Sequence, residues 1–256
     1  MSNIHFYHEG EGQPVLLIHG FCETSEMWRE FSSALSSDNS VFSIDLPGFG
    51  LSPIESDHTT LEEVAVQVEE WMHDHKIQSP IVIGHSLGGY VALALLELLG
   101  NELKGVGLFN STSFADSEEK KAMRNRALIF IEKNGVTKFV DSFVPQLFPE
   151  NRRAELAKEI ESAVKDAHRS SLNGLLAFTK AMRDRPDRSS VLNHFHGKKM
   201  MIVGTKDTAV SLEDSRKQEG LFTHYHEIEG MGHMGMIEEK ERTLTFVKKF
   251  VADCDR

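Results

Sequence analysis

The chain reads as an α/β protein in which a mostly parallel sheet is buried under helices on both faces, and three observations predict this. Short, continuous apolar runs at residues 15–18, 80–83, 106–109 and 200–203 have the character of strands covered on both sides. Between them lie longer stretches whose apolar residues recur at helical spacing, the alternation expected of βα units. Several runs end in a glycine-bearing turn, at Gly20, Gly48, Gly84, Gly204 and Gly230, where the chain must change direction tightly. A length of 256 residues exceeds the generic prior for one domain but suits a chain built around one such sheet.

The elements follow in order. Residues 4–8 and 15–18 flank Glu9-Gly10-Glu11-Gly12 and predict an opening β-hairpin. Residues 27–35 predict a helix, and residues 41–45 a strand ending in the Pro47-Gly48 loop. Thr60 and Glu63 match a capping box, behind which Leu61, Val64, Ala65 and Val68 recur at helical spacing, so a helix is expected to about residue 75. The strand at 80–83 and a helix to Leu99 come next, with Gly100 as the stop signal. After the strand at 106–109 the alternation ceases. From about 113 to 190 there is no strand pattern, and the span is too long for a structureless loop. Four helices are expected there, at 116–133, 136–147, 150–168 and 172–183. Most of their apolar residues, among them Phe130, Phe139, Phe143, Phe178 and Met182, are expected to form that segment's own core, and the remainder to line an apolar pocket.

The chemistry concentrates in Gly84-His85-Ser86-Leu87-Gly88-Gly89, a serine held between glycines where a strand turns directly into a helix. Such a turn is a nucleophile elbow. Strand and helix approach so closely that only glycine fits beside the serine, and the serine Oγ is presented at a helix N-terminus whose unpaired N–H groups favour developing negative charge. Downstream, Gly204-Thr205-Lys206-Asp207 and Gly230-Met231-Gly232-His233 each follow a strand. Serine, aspartate and histidine in that order match the chain order of an α/β-hydrolase triad.

With His19-Gly20-Phe21 after the strand at 15–18 and Asp45-Leu46-Pro47-Gly48-Phe49-Gly50-Leu51-Ser52, these make five ordered motifs. On them the chain resembles the α/β-hydrolase superfamily over nearly its whole length, within it the small capped serine hydrolases that include carboxylesterases, enol-lactonases, haloperoxidase-like esterases and carbon–carbon bond hydrolases. The resemblance implies an α/β-hydrolase fold with an all-helical cap inserted after the sixth strand, so that residues 1–112 and 191–256 form the core and 113–190 the cap. It implies Ser86 as nucleophile, His233 as general base and then acid, and Asp207 as the group that orients the imidazole. It assigns the oxyanion hole to the backbone N–H groups of Phe21 and Leu87. The residue types suit these roles: a serine hydroxyl needs a base titrating near the operating pH, and a carboxylate on the other ring nitrogen fixes the tautomer. The expected activity is hydrolysis of a small or medium carboxylic ester or lactone through an acyl-enzyme, with no cofactor and no metal.

Each assignment has a structural competitor. His19 fits a turn-stabilising role below the site, and His85 occupies the variable position of the elbow. The pairs His224 and His226, His73 and His75, and His194 and His196 each lack the third ligand that a metal site requires. Asp116 is the alternative triad acid, but Ser117, Glu118 and Glu119 follow it, which favours a helix N-cap. Serine at position 86, in place of aspartate, argues against dehalogenase or epoxide-hydrolase chemistry. Met234-Gly235-Met236 stands where carbon–carbon hydrolases often carry tryptophan, which leaves those enzymes as an alternative, together with a ligand-binding, receptor-like protein that retains the triad. Cys22, beside Phe21, fits a small buried neighbour of the site.

A formal net charge of −11 disfavours nucleic acid and anionic membranes as partners. No apolar run approaches the roughly 20 residues needed to span a bilayer, and the first residues lack the pattern of a secretion signal. Two cysteines without a framework spacing point to a cytoplasmic, disulfide-free protein. The expected partner is a small-molecule ester or lactone, and a homodimer is left open.

Overall fold

The computed structural model describes residues 3–255. Seven strands form one sheet: β1 (Phe6–Glu9), β2 (Gln13–Ile18), β3 (Asn39–Ile44), β4 (Ile81–His85), β5 (Gly105–Phe109), β6 (Lys198–Gly204) and β7 (His224–Ile228). Their spatial order is β1-β3-β2-β4-β5-β6-β7. Every neighbouring pair is parallel except β1 with β3. The expected hairpin is therefore absent. β1 pairs with β3, Phe6 opposite Ile44, and β3 lies between it and β2. The connecting turn is fixed by contact with the chain entering β3: a Cβ on Gly10, at φ +77°, would lie 2.3 Å from the carbonyl oxygens of Ser36 and Asn39.

The helices between β1 and β6 are α1 (Arg29–Leu35), α2 (Leu61–Asp74), α3 (Leu87–Leu99), α4 (Glu118–Phe143), α5 (Ala157–Ala167), α6 (Leu172–Asp184) and α7 (Ser189–His194). After β6 come α8 (Leu212–Lys217), α9 (Gly235–Glu238) and α10 (Lys240–Cys254). The capping box at Thr60 and Glu63 forms in both directions, and α3 stops at Gly100, φ +54°. α3 packs along β4 and β5, with α2 against it. Strands β4 and β5 are buried throughout, as are Trp28, Phe31, Trp71 and Phe250. Full burial of each such side chain stabilises the fold by about 1.5–3 kcal/mol.

The helical insertion of α4 to α7 follows the fifth strand in chain order, not a sixth, because five strands precede it among the described residues. α4 is one helix where two were expected, but it kinks at Gly135 (φ 76°, ψ 179°), a conformation open essentially to glycine alone. The third expected helix is shorter than its pattern suggested, because residues 150–156 form only a 3₁₀ turn and a hydrogen-bonded turn before α5. The entry and exit of the insertion meet. Arg185 Nη1 donates to Asp116 Oδ1 at 2.7 Å, Arg124 Nε to Asp116 Oδ2 at 3.1 Å, and the Arg185 guanidinium lies 3.9 Å over the Tyr90 ring of α3. Asp116 is thus an ion-pair partner, and the N-cap of α4 is Ser117, whose side chain accepts from the Lys120 N–H. Both ends of the Asp116–Arg185 pair are buried, so removing one partner would leave an uncompensated charge at a cost of about 3–5 kcal/mol.

Candidate active site

The elbow is enforced by contact distances. Ser86 sits at φ 49°, ψ −114° between β4 and α3. A Cβ on Gly84 would lie 2.1 Å from the carbonyl carbon and oxygen of Gly88, and one on Gly88 would lie 2.2 Å from Ile18 O, so neither position admits a side chain. The strained serine backbone is held from both sides: its N–H donates to Phe109 O at 2.9 Å, and its carbonyl accepts from Ser111 Oγ at 2.8 Å. These contacts set the turn that exposes the side chain at the start of α3.

Asp207 and His233 come from the loops after β6 and β7. His233 Nδ1 lies 3.0 Å from Asp207 Oδ1 and 2.9 Å from Oδ2, with both side chains buried. A carboxylate there accepts a hydrogen bond from Nδ1–H, which keeps that proton on Nδ1 and leaves the neutral ring with its lone pair on Nε2, the tautomer a general base needs. Burial alone would raise the Asp207 pKa, but the charge and hydrogen bond of His233, the Val210 N–H and the Asn110 side chain together hold it below the usual 3.8. For His233, burial favours the neutral ring, yet Asp207, with help from Glu23 and Glu238, outweighs it and lifts the imidazole above its ordinary 6.5. The His233 ring centroid is 4.9 Å from that of His85, the residue before Ser86. The three expected residues therefore gather at the same end of the sheet.

Phe21 and Leu87 flank this point. Among the described residues neither backbone N–H makes a backbone hydrogen bond outside the helices and strands. The close approach of Gly88 to Ile18 O and His19 O brings the two segments together. Phe21 packs edge-on against Phe49, Phe139 and Phe143 at ring distances of 5.8–6.0 Å, so two phenylalanines of α4 stand over the loop. His19 has the turn-stabilising role: its Nε2 accepts from Leu46 N–H at 2.9 Å, and its Nδ1 donates to Gly20 O at 2.7 Å. Burial lowers its pKa, in keeping with this neutral form.

Asn110, Glu238 and Glu23, which sequence reasoning passed over, and His85, which it left as the variable elbow position, hold these groups. Asn110, at φ 47°, donates from Nδ2 to Asp207 Oδ2 at 2.8 Å and to Gly232 O at 3.1 Å. Glu238 accepts from the N–H groups of Gly232 and Met234, at 2.8 and 3.0 Å, on either side of His233. Glu23 and His85 link the loop of Gly20 to the backbone of His233. A positive φ at an asparagine directly after a strand is not visible in sequence, and the other contacts depend on chain crossings.

The competing residues lie elsewhere. His224 pairs with Asp253 at 2.9 Å, and His226 stacks on Phe246 at 3.8 Å. Cys22 is buried, and burial pushes its thiol well above the usual range, so little reactive thiolate forms.

A parallel sheet with a serine at a strand–helix elbow and a carboxylate–histidine pair at the same sheet end defines a hydrolase of the α/β class. Residues 15–245 match the Alpha/beta hydrolase family, and the chain belongs to it. Its structure is similar to that of a thermophilic esterase from Thermogutta terrifontis, at 25% identity and a TM-score of 0.91 over 98% of this chain and 93% of that one. It also shares the fold of the enol-lactonase from Burkholderia xenovorans LB400, at 20% identity and a TM-score of 0.88 over 97% and 96% of the two chains. Among curated proteins, 83 residues are 39% identical to the pimeloyl-[acyl-carrier protein] methyl ester esterase of Vibrio cholerae, covering 32% of this chain and 31% of that one. A further 33% identity over 108 residues joins it to the dihydrolipoyllysine-residue acetyltransferase component of the acetoin cleaving system of Cupriavidus necator, over 42% of this chain and 29% of that one. These matches span less than a third of either relative. Among the described residues no helix is long and apolar enough to cross a membrane.

Proposed function

We propose that this chain is a serine hydrolase that cleaves a small or medium carboxylic ester or lactone through an acyl-enzyme. The observation that carries the reading is the His233–Asp207 pair, at 2.9 and 3.0 Å, set beside the elbow of Ser86. In this mechanism His233 Nε2 takes the Ser86 hydroxyl proton as Oγ attacks the carbonyl carbon. The N–H groups of Phe21 and Leu87 stabilise the oxyanion. The imidazolium then gives its proton to the leaving oxygen, and water, activated by the same ring, releases the acid. Residues 113–190 act as the cap, and residues 1–112 with 191–256 as the core. The likeness to the Thermogutta esterase supports ester chemistry in particular.

The base assignment predicts a pH profile. His233 works only when neutral, and its pKa is raised above 6.5. On a stable ester, kcat/KM is expected to be low in acid and to climb to a plateau through a midpoint above 6.5. A flat profile between about pH 5 and 8 would count against His233 as the base.

Substrate range follows from the phenylalanines of the cap. Burial of the acyl chain contributes about 0.8 kcal/mol per methylene, so selectivity among chain lengths should be only a few-fold per carbon. p-Nitrophenyl acetate and butyrate are expected to turn over, very long acyl chains to lose activity, and amides and phosphate esters to be poor substrates. A panel of esters, lactones, thioesters and vinylogous 1,5-diketones tests this. Strong preference for the diketones would replace the esterase reading with carbon–carbon hydrolysis. Specific binding of one compound without any turnover would point to a receptor.

A further inference from the structure

His85 and Glu23 make a buried link that the acyl-transfer steps above do not use. Glu23 Oε2 accepts the Gly20 N–H at 2.6 Å and faces His85 Nδ1 at 2.9 Å. His85 Nε2 lies 2.9 Å from the backbone oxygen of His233. The His85 side chain is fully buried and Glu23 nearly so, at 7% exposure. A backbone carbonyl only accepts, so Nε2 must carry a proton. A bare Nδ1 facing a carboxylate would set two lone pairs against each other, so a second proton lies between Nδ1 and Oε2. The chain that results, Gly20 N–H to Glu23 to His85 to His233 O, spans residues 62 and 148 positions apart. It leaves no room for another group, since a Cβ on Gly20 would lie 2.7 Å from His85 Nδ1 and 2.8 Å from Glu23 Oε2.

We propose that Glu23 and His85 are a positioning pair for acyl transfer, a hydrogen-bonded bridge that fixes the oxyanion loop and the general-base loop in one geometry on either side of Ser86. The proposal rests on the serine-hydrolase reading. One end of the bridge is the peptide N–H of Gly20, directly before Phe21, and the other is the carbonyl of His233 itself. Two loops that must meet a single tetrahedral intermediate are thereby locked together through the residue that precedes the nucleophile. Glu23 is held ionised in spite of burial, its pKa kept below 4.5 by the charge and hydrogen bond of His85 and by the Gly20 N–H. The bonds that Glu23 makes to Gly20 and His85 are thus charge-assisted.

Half-mimics of the imidazole separate bridging from packing. His85→Gln keeps a donor for His233 O and loses Glu23, whereas His85→Asn keeps the reach to Glu23 and loses His233. Glu23→Gln keeps an oxygen where Oε2 accepts the Gly20 N–H and faces His85 Nδ1 and loses only the charge, and Glu23→Ala keeps no partner for either. The measurements are kcat and KM on p-nitrophenyl butyrate, the rate of fluorophosphonate labelling, and the melting temperature. His85→Gln, His85→Asn and Glu23→Ala are each expected to lower kcat about 10- to 100-fold, the size of a sub-ångström to 1 Å misplacement of reacting groups. KM should stay within about threefold and labelling should slow in parallel. Glu23→Gln should recover most of what Glu23→Ala loses. Wild-type kcat and labelling in folded His85→Asn and Glu23→Ala would overturn the proposal, and so would losses that vanish once activity is expressed per folded molecule. Ser86→Ala run alongside keeps the two readings apart. An inactive Ser86→Ala with fully active bridge variants removes the positioning role alone, whereas turnover surviving in Ser86→Ala removes the serine mechanism and the bridge's purpose with it.

Discussion

Replacing Ser86 with alanine is expected to abolish ester hydrolysis, with kcat falling by about 10⁶-fold where the serine acts as one unit with its base, and to abolish covalent labelling by a fluorophosphonate. The backbone that shapes the elbow should survive. Its constraints come from Gly84, Gly88 and the bonds to Phe109 O and Ser111 Oγ, none of which uses the Ser86 side chain. Alanine meets the same φ of 49° at little extra cost, so the melting temperature should move by no more than a few degrees. Near wild-type turnover in this variant would show that Ser86 is not the nucleophile.

Asp207→Asn should be almost as damaging, roughly 10⁴-fold in kcat, with the fold retained. The reason lies in what surrounds the carboxylate. Asp207 Oδ1 accepts the N–H groups of Ala209 and Val210, and Oδ2 accepts from Asn110 Nδ2. An asparagine oxygen would stay with the Ala209 and Val210 N–H groups at the Oδ1 position, and its NH₂, at the Oδ2 position, would face His233 Nδ1. The ring would then accept at Nδ1 and carry its proton on Nε2, where it cannot receive one from Ser86. Asp116→Asn is the informative contrast. Its carboxylate pairs with Arg185 and Arg124, so it should lower the melting temperature and leave kcat per folded molecule close to wild type. The reverse outcome would transfer the acid role to Asp116.

The parts legible in the sequence were those dictated by local sterics. An elbow needs small residues within five positions, so Gly84, Ser86 and Gly88 announce it together. The capping box at Thr60 and Glu63 and the kink at Gly135, which falls between two expected helices, are equally local. What the sequence concealed depends on distant partners. β1 and β2 are neighbours in the chain, yet β3 takes the place between them, a choice made by pairing across the whole sheet. Asn110 bonds a carboxylate 97 residues away, and Glu23 a histidine 62 residues away. No periodicity records such meetings. The N-cap of α4 was misplaced by one residue because Asp116 and Ser117 are both good caps, and only the arrival of Arg185 decides between them.

The ion pair between Asp116 and Arg185 closes a loop of 69 positions whose two ends meet beside Tyr90 of α3. The entropy cost of such a closure grows only with the logarithm of its length, about 0.6 kcal/mol per doubling. Helices could therefore be gained, lost or exchanged above this clasp at small cost, while strand register below it stayed as it was. On the proposed function, selection on what enters the cleft and selection on bond cleavage would then act on different stretches of the gene, and swapping the span between the two residues with that of another family member would be expected to change substrate range while leaving the sheet intact.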